Sequence, residues 1–296
     1  MKLTEDMEIQ IRKIETVEFE DTDQTFTPHF HDYLVIGKII EGKRKVRIAD
    51  REMTAGPGDV LVFWPGMVHS CRSIDQLPLT YRAIELDVHT EKMQWIGGSV
   101  LSDHELRQPV LSHEQPISSC FDRAFEMIES DEDKRKICNE IYILIRELFS
   151  DKDAFSIDVR QSDLNHPDET GSRQISSFMK NHLSEKLSLQ NICEYFALSP
   201  STLLRLFGRT FCQTPISHLE SLRIQHVQHL LRNGIRPAEA AQSGGYYDQS
   251  HLCASFRKNI GQTPSAYAER KICLLADEET ESDLLRPAIR ENREKE

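Results

Sequence analysis

The sequence predicts an α+β chain of two domains. An N-terminal β-rich unit closing as a sandwich or barrel is followed by two helices, then by an all-α C-terminal unit with two helix-turn-helix elements. Three observations predict this. Short β-prone runs punctuated by Gly/Pro turns extend to Val88. An internal repeat with an offset of 49 residues lies near the C-terminus. The length of 296 residues suits two globular units.

In the first unit, Val46–Ile48, Val60–Trp64 and Tyr81–Val88 read as strands, with turns at Glu41-Gly42, Gly56-Pro57-Gly58 and Pro65-Gly66. If His29 and His31 lie on a strand they share one face, and His69 can approach them across the barrel. Three converging imidazoles can hold Zn²⁺, Fe²⁺ or Ni²⁺, hydrogen-bond a ligand, or simply pack.

Two amphipathic helices come next. Ile117, Phe121, Ala124, Phe125 and Ile128 form one apolar stripe; Ile137, Ile141, Leu144, Ile145 and Leu148 form the other. The charged run Asp131–Lys136 separates them, and both stripes are expected against the β-structure. Residues 151–173 are polar and aperiodic and read as a linker. The segment 272–296 is highly charged and reads as a disordered tail.

The repeat sets Ser199 against Asp248, Leu203 against Leu252, Phe207 against Phe256, and Gln213-Thr214-Pro215 against Gln262-Thr263-Pro264. Each copy opens with an N-cap residue, carries an apolar i, i+4 pair, and stops at a proline that cannot continue the preceding helix. Short helices at Leu189–Ala197 and Pro237–Ser243 precede the copies, giving two helix-turn-helix units whose second helices are shaped for the major groove. Ile216, Leu219, Val227, Leu230 and Leu231 mark a long connecting helix between them.

Charge agrees. Residues 173–271 hold 12 Lys+Arg against 6 Asp+Glu, although the chain as a whole is −12. A basic segment in an acidic protein is the footprint of phosphate binding. The N-terminus carries acidic residues and no apolar core, so no signal peptide is expected. No apolar run approaches the roughly 18 residues of a membrane span. Seven scattered cysteines lack any C-x-x-C pair, so reduced thiols and a cytoplasmic location are expected.

With these motifs in place, Ser188–Arg270 resembles the AraC/XylS family of transcriptional regulators. The segment Pro28-His29-Phe30-His31-Asp32-Tyr33, with Gly42, Pro57-Gly58-Asp59 and Pro65 to His69, resembles the cupin-like effector domain at the N-terminus of such regulators. The resemblance implies a cupin-like effector-binding and dimerisation domain over 1–150 and a DNA-binding domain over 174–271. The two recognition helices would enter successive major grooves of double-stranded DNA. It also implies a small-molecule effector, a homodimer formed through the two helices, and activation through RNA polymerase.

Metallo-cupins usually place a glutamate shortly after the histidine pair. Here Val35 and Ile36 stand in that neighbourhood, so no metal, cofactor or enzymatic activity is expected. His29, His31, Tyr33, Trp64 and His69 are the candidate effector contacts, compatible with a sugar, an aromatic acid, an amino acid or a polyamine. Two alternatives stay open: a metal-dependent cupin enzyme tethered to DNA, and a ligand-independent DNA-binding protein.

For DNA, the outward residues of the first recognition helix are Ser201, Thr202, Leu204, Arg205 and Arg209. By resemblance, Arg205 occupies a base-reading position. The second helix offers Gln249, Ser250, His251, Cys253, Ala254 and Arg257. Ala254 stands at the place equivalent to Arg205. Ala240 and Gly244 replace larger aliphatics in the preceding helix, and Cys212 replaces a C-cap glycine that the second copy keeps as Gly261. The first unit is therefore expected to carry most base readout.

Overall fold

A computed structural model describes residues 11–22, 25–48, 51–74, 78–88, 110–150, 155–156, 169–270 and 272–274. The N-terminal β-structure comprises β1 (Ile11–Thr22), β2 (Phe26–His29), β3 (Leu34–Glu41), β4 (Arg44–Ile48), β5 (Arg51–Ala55), β6 (Val60–Phe63), β7 (His69–Ser73), β8 (Leu79–Val88) and β9 (Val110–Ser112). β10 (Phe155–Ser156) and β11 (Ile272–Leu274) complete it. The strands make two antiparallel sheets, in the orders β10-β9-β6-β3-β8-β1-β11 and β2-β7-β4-β5. The two sheets face each other as in the cupin-like domain expected from the sequence, with no ladder joining them among the described residues. β3, buried along most of its length, sits at the middle of the larger sheet, as an apolar run covered on both faces should.

Both helices cover that core. α1 (Gln115–Glu129) buries Ile117, Phe121, Ala124, Phe125 and Ile128, and α2 (Lys134–Ser150) buries Ile137, Ile141, Leu144, Ile145 and Leu148. The two stripes read from helical spacing are therefore both spent on packing, inside one cluster with the strands. Lys38 reaches from β3 to Asp122 of α1 at 2.6 Å.

The C-terminal domain runs α3 (Glu169–Asn181), α4 (Leu189–Tyr195), α5 (Pro200–Phe211), α6 (Pro215–Arg232), α7 (Pro237–Ser243), α8 (Gln249–Ile260) and α9 (Pro264–Ala268). Ser199 caps α5 by accepting from the Thr202 amide, and Asp248 caps α8 by accepting from the His251 amide. Each Gln-Thr-Pro does more than stop a helix. Thr214 and Thr263 cap α6 and α9, with proline at the first helical position. Two cores result: Leu203, Leu206 and Phe207 pack in one, Leu252 and Phe256 in the other, and α6 contributes to both. Ala240 and Gly244 are matched by close approach, since a Cβ on Gly244 would lie 2.7 Å from the Val227 side chain.

Two segments differ from the sequence reading. β10 pairs with β9 inside the stretch read as linker, and α3 begins before its end. β11 pairs antiparallel with β1, with Lys13 opposite Leu274, inside the stretch read as a disordered tail. Residues 272–274 find a free sheet edge, a long-range pairing that local charge cannot announce. Among the described residues no helix is long and apolar enough to cross a membrane.

Candidate effector cavity and nucleic-acid interface

Between the two sheets lies a cavity of about 70 Å³. On β8, Tyr81, Ala83 and Glu85 face it; on β1, their cross-strand partners Phe19 and Val17 do the same. His29 and His69 are cross-strand partners on β2 and β7. His31 lies beyond the end of β2, just before a bend at residues 32–33, not on the strand the sequence suggested, yet its ring still joins theirs. Ring centroids are 4.4 Å apart for His29 and His69, 4.9 Å for His29 and His31, and 5.2 Å for His31 and His69. One ring nitrogen from each lies within 4.8 Å of the others.

Burial pushes the His29 imidazole down to about 4, and holds His31 and His69 well below the ordinary value. All three are neutral at physiological pH. His29 Nδ1 is 2.7 Å from the Thr27 carbonyl and His69 Nδ1 2.9 Å from that of Met67. A carbonyl only accepts, so both Nδ1 atoms carry the proton and both Nε2 atoms are acceptors.

The expected contacts divide. His29, His31, Tyr33 and His69 line the cavity. Trp64 does not. It is buried in the hydrophobic core, because period-two alternation gives the cavity wall to Phe63 before it. Arg44 and Glu85 also line the cavity and were not singled out in the sequence. Arg44 is disguised there within the basic run Lys43-Arg44-Lys45, and Glu85 within the β-prone Tyr81–Val88.

The cavity wall is not closed by the N-terminal domain alone. Asn259 and Ile260, at the C-terminal end of α8, and Arg270 also line it. Arg270 Nη1 donates to both Glu85 oxygens at 3.1 Å. Arg232 of α6 donates through Nε to Glu15 at 2.6 Å and through Nη2 to Glu85 at 3.2 Å. Gln228 Nε2 donates to the hydroxyls of Tyr33 and Tyr267, each at 3.1 Å. Desolvation raises the Glu15 pKa, against the pull of Arg232.

The motif around the histidines faces both ways. His29, His31 and Tyr33 point into the cavity, while Phe30 packs in the core of the first helix-turn-helix unit and stacks on His218 at 5.3 Å. The carbonyls of Pro28 and Phe30 accept from Gln213 at 2.7 Å and Gln225 at 3.1 Å.

On the DNA-binding domain, Ser201, Leu204, Arg205 and Arg209 are exposed on α5, and Gln249, Ser250, His251, Ala254 and Arg257 on α8. Thr202 and Cys253 are half-buried; the Thr202 hydroxyl is 2.8 Å from that of Ser199 within the cap. Tyr247, 93% exposed immediately before the Asp248 cap, is an aromatic at the mouth of the second head that helical periodicity passed over. Cys71, Cys120, Cys193 and Cys253 are free thiols.

Comparison with known proteins agrees with this geometry. Residues 13–142 match the AraC-like ligand binding domain, and residues 192–270 match a helix-turn-helix domain. The chain is 32% identical over 245 residues to the HTH-type transcriptional regulator YbfI of Bacillus subtilis, covering 81% of this chain and 86% of that protein. It is 26% identical to the MmsAB operon regulatory protein of Pseudomonas aeruginosa, over 84% of this chain and 79% of that one. Among solved structures, apo ToxT from Vibrio cholerae aligns with a TM-score of 0.55 at 15% identity, covering 86% of this chain and 96% of its own. Two reading heads joined to a small-molecule domain make an effector-responsive, DNA-binding transcriptional regulator, and the chain belongs to the AraC/XylS family.

Proposed function

We propose that the cavity is the effector site and that its occupancy sets how the second reading head is held. One observation carries this: the end of α8 and Arg270 are part of the cavity wall. A ligand there touches both domains at once. It therefore has different affinities for docked and undocked arrangements, which is what coupling between effector and DNA requires. His29, His31, Tyr33 and His69 are the effector contacts in this reading.

DNA is held by Ser201, Leu204, Arg205 and Arg209 of α5, and by Gln249, Ser250, His251, Ala254 and Arg257 of α8, with Thr202 and Cys253 at the rim. Arg205, exposed and central on α5, carries base readout, and α8 contributes mainly phosphate contacts. The domains run over 1–150 and 174–271. The protein acts in the cytoplasm as a homodimer through the outer faces of α1 and α2, and activates by contacting RNA polymerase.

The test is selection of bound fragments from the source genome with full-length protein at physiological salt. Discrete sites spanning two adjacent major grooves are the expected result. Recovery of indiscriminate DNA, with and without an added metabolite extract, would contradict the reading.

A further inference from the structure

The charges around the cavity do not balance. Arg232 and Arg270 are matched by Glu15 and Glu85. Arg44 is left over. It is 7% exposed and lines the cavity, and no carboxylate among the described residues pairs with it. Its guanidinium lies 4.5 Å from the Tyr81 ring centroid and 5.0 Å from that of Phe26, and hydrogen-bonds to Tyr81 and Cys71. Its Nε–H is buried with no acceptor. A buried donor left unmet is costly, and a buried charge without a counter-ion more so.

The other polar groups at the cavity have the opposite need. With Nδ1–H given to backbone carbonyls, His29 and His69 keep Nε2 lone pairs that can accept from a donor. A hydroxycarboxylate meets both needs, with an anionic acceptor for the guanidinium and an O–H donor for an imidazole. A divalent metal would satisfy the imidazoles, but it would add positive charge beside an uncompensated guanidinium. Size sets a further limit: the cavity is about 70 Å³, where one water needs about 10–15 Å³ on the same measure, so it holds a ligand of a few heavy atoms. The aromatic walls Phe19, Phe26 and Phe63 favour a short carbon skeleton.

We propose that this cavity binds a small hydroxycarboxylate, its carboxylate on Arg44 and its hydroxyl donating to Nε2 of His29 or His69. The proposal rests on the reading of this cavity as the effector site and names the ligand class for it.

The test uses chelator-treated full-length protein in thermal-shift and calorimetric titrations. Glycolate, D- and L-lactate, glycerate and malate are compared with propionate, which lacks the hydroxyl, and lactamide, which lacks the charge. At least one hydroxycarboxylate should raise the melting temperature, and its matched controls should bind roughly 10- to 100-fold more weakly, as loss of a charged hydrogen bond predicts. Arg44→Gln should lose a similar factor, while Arg47→Gln, exposed on the same strand, should not.

Silence from all five acids, or equal binding of lactamide, overturns the proposal. So does stoichiometric Zn²⁺ binding that His69→Gln abolishes. Arabinose and putrescine are run alongside. Stabilisation by either would leave the effector reading standing and remove only the hydroxycarboxylate; silence from every compound would remove both. The matched-ligand comparison needs no variant, so a misfolded Arg44→Gln protein does not blunt the test.

Discussion

Arg232, on the helix joining the two reading heads, donates to both oxygens of Glu15 on the first strand of the effector domain, at 2.6 and 3.1 Å. Glu15 is the direct cross-strand partner of Glu85, and like charges placed so are unfavourable unless bridged. Arg232→Met should leave Glu15 buried without its guanidinium, opposite a Glu85 that Arg270 still holds, and cost roughly 3–5 kcal/mol in urea unfolding. Adding Glu15→Gln to that variant should restore part of the loss. A midpoint unchanged in Arg232→Met would show that the domains do not dock this way.

Gly261 ends α8 with φ +82, and a Cβ there would lie 2.7 Å from Phe19 Cε1 across the domain boundary. Gly261→Ala should cost about 1–2 kcal/mol from the left-handed backbone alone, with a steric increment. Pairing it with Phe19→Ala should remove the steric part only, giving a coupling energy in a double-mutant cycle. Strict additivity would refute the contact.

Cys212 ends α5 in the same conformation, at φ 50, without glycine's freedom. Cys212→Gly should stabilise the protein by roughly 1 kcal/mol, read as a rise in melting temperature. A fall would mean that the side chain contributes more than its backbone strain costs.

His29 and His218 are both pushed down to about 4 by burial. Each folds neutral, whereas in the unfolded chain it titrates near 6.5. Stability is full above pH 6.5 and is lost progressively as pH falls toward 4. Each should cost roughly 1.3 kcal/mol between pH 7.5 and 5.5. Glu15, raised by burial, works in the opposite sense. Comparing the pH slopes of the unaltered protein and His218→Asn isolates one histidine, and identical slopes would contradict its burial as a neutral base.

Arg205→Ala should relax specificity at one base pair by about 1–3 kcal/mol. Equal weakening on every sequence would make Arg205 a phosphate contact instead. Disrupting α8 should cost mainly sequence-independent, salt-sensitive affinity.

The reading heads were legible because their signals are local. Ser199 and Asp248 as caps, Leu203, Phe207, Leu252 and Phe256 as inward pairs, and the αL position shared by Cys212 and Gly261 all follow from spacing within one helix. The cavity was legible only through its histidines. Arg44, Glu85, Arg232 and Arg270 look like ordinary surface charges in the sequence, and their burial comes from pairings 147 residues apart for Glu85 and Arg232 and 185 for Glu85 and Arg270. Trp64, one residue past the end of β6, falls outside the cavity lining while Phe63 lies within it. Thr214 and Thr263 were seen as stops when they are also starts.

The return of residues 272–274 to the edge of β1 has a kinetic meaning. The DNA-binding domain leaves the effector domain after β10 and comes back to it at β11, so it is moored at both ends. Undocking then resembles the opening of a tethered loop more than the parting of two bodies. The released surfaces stay at high effective concentration for one another, and reclosing is a first-order event. Such an arrangement can hold a modest docking energy, within reach of a small ligand, while preventing the two domains from drifting into unproductive orientations.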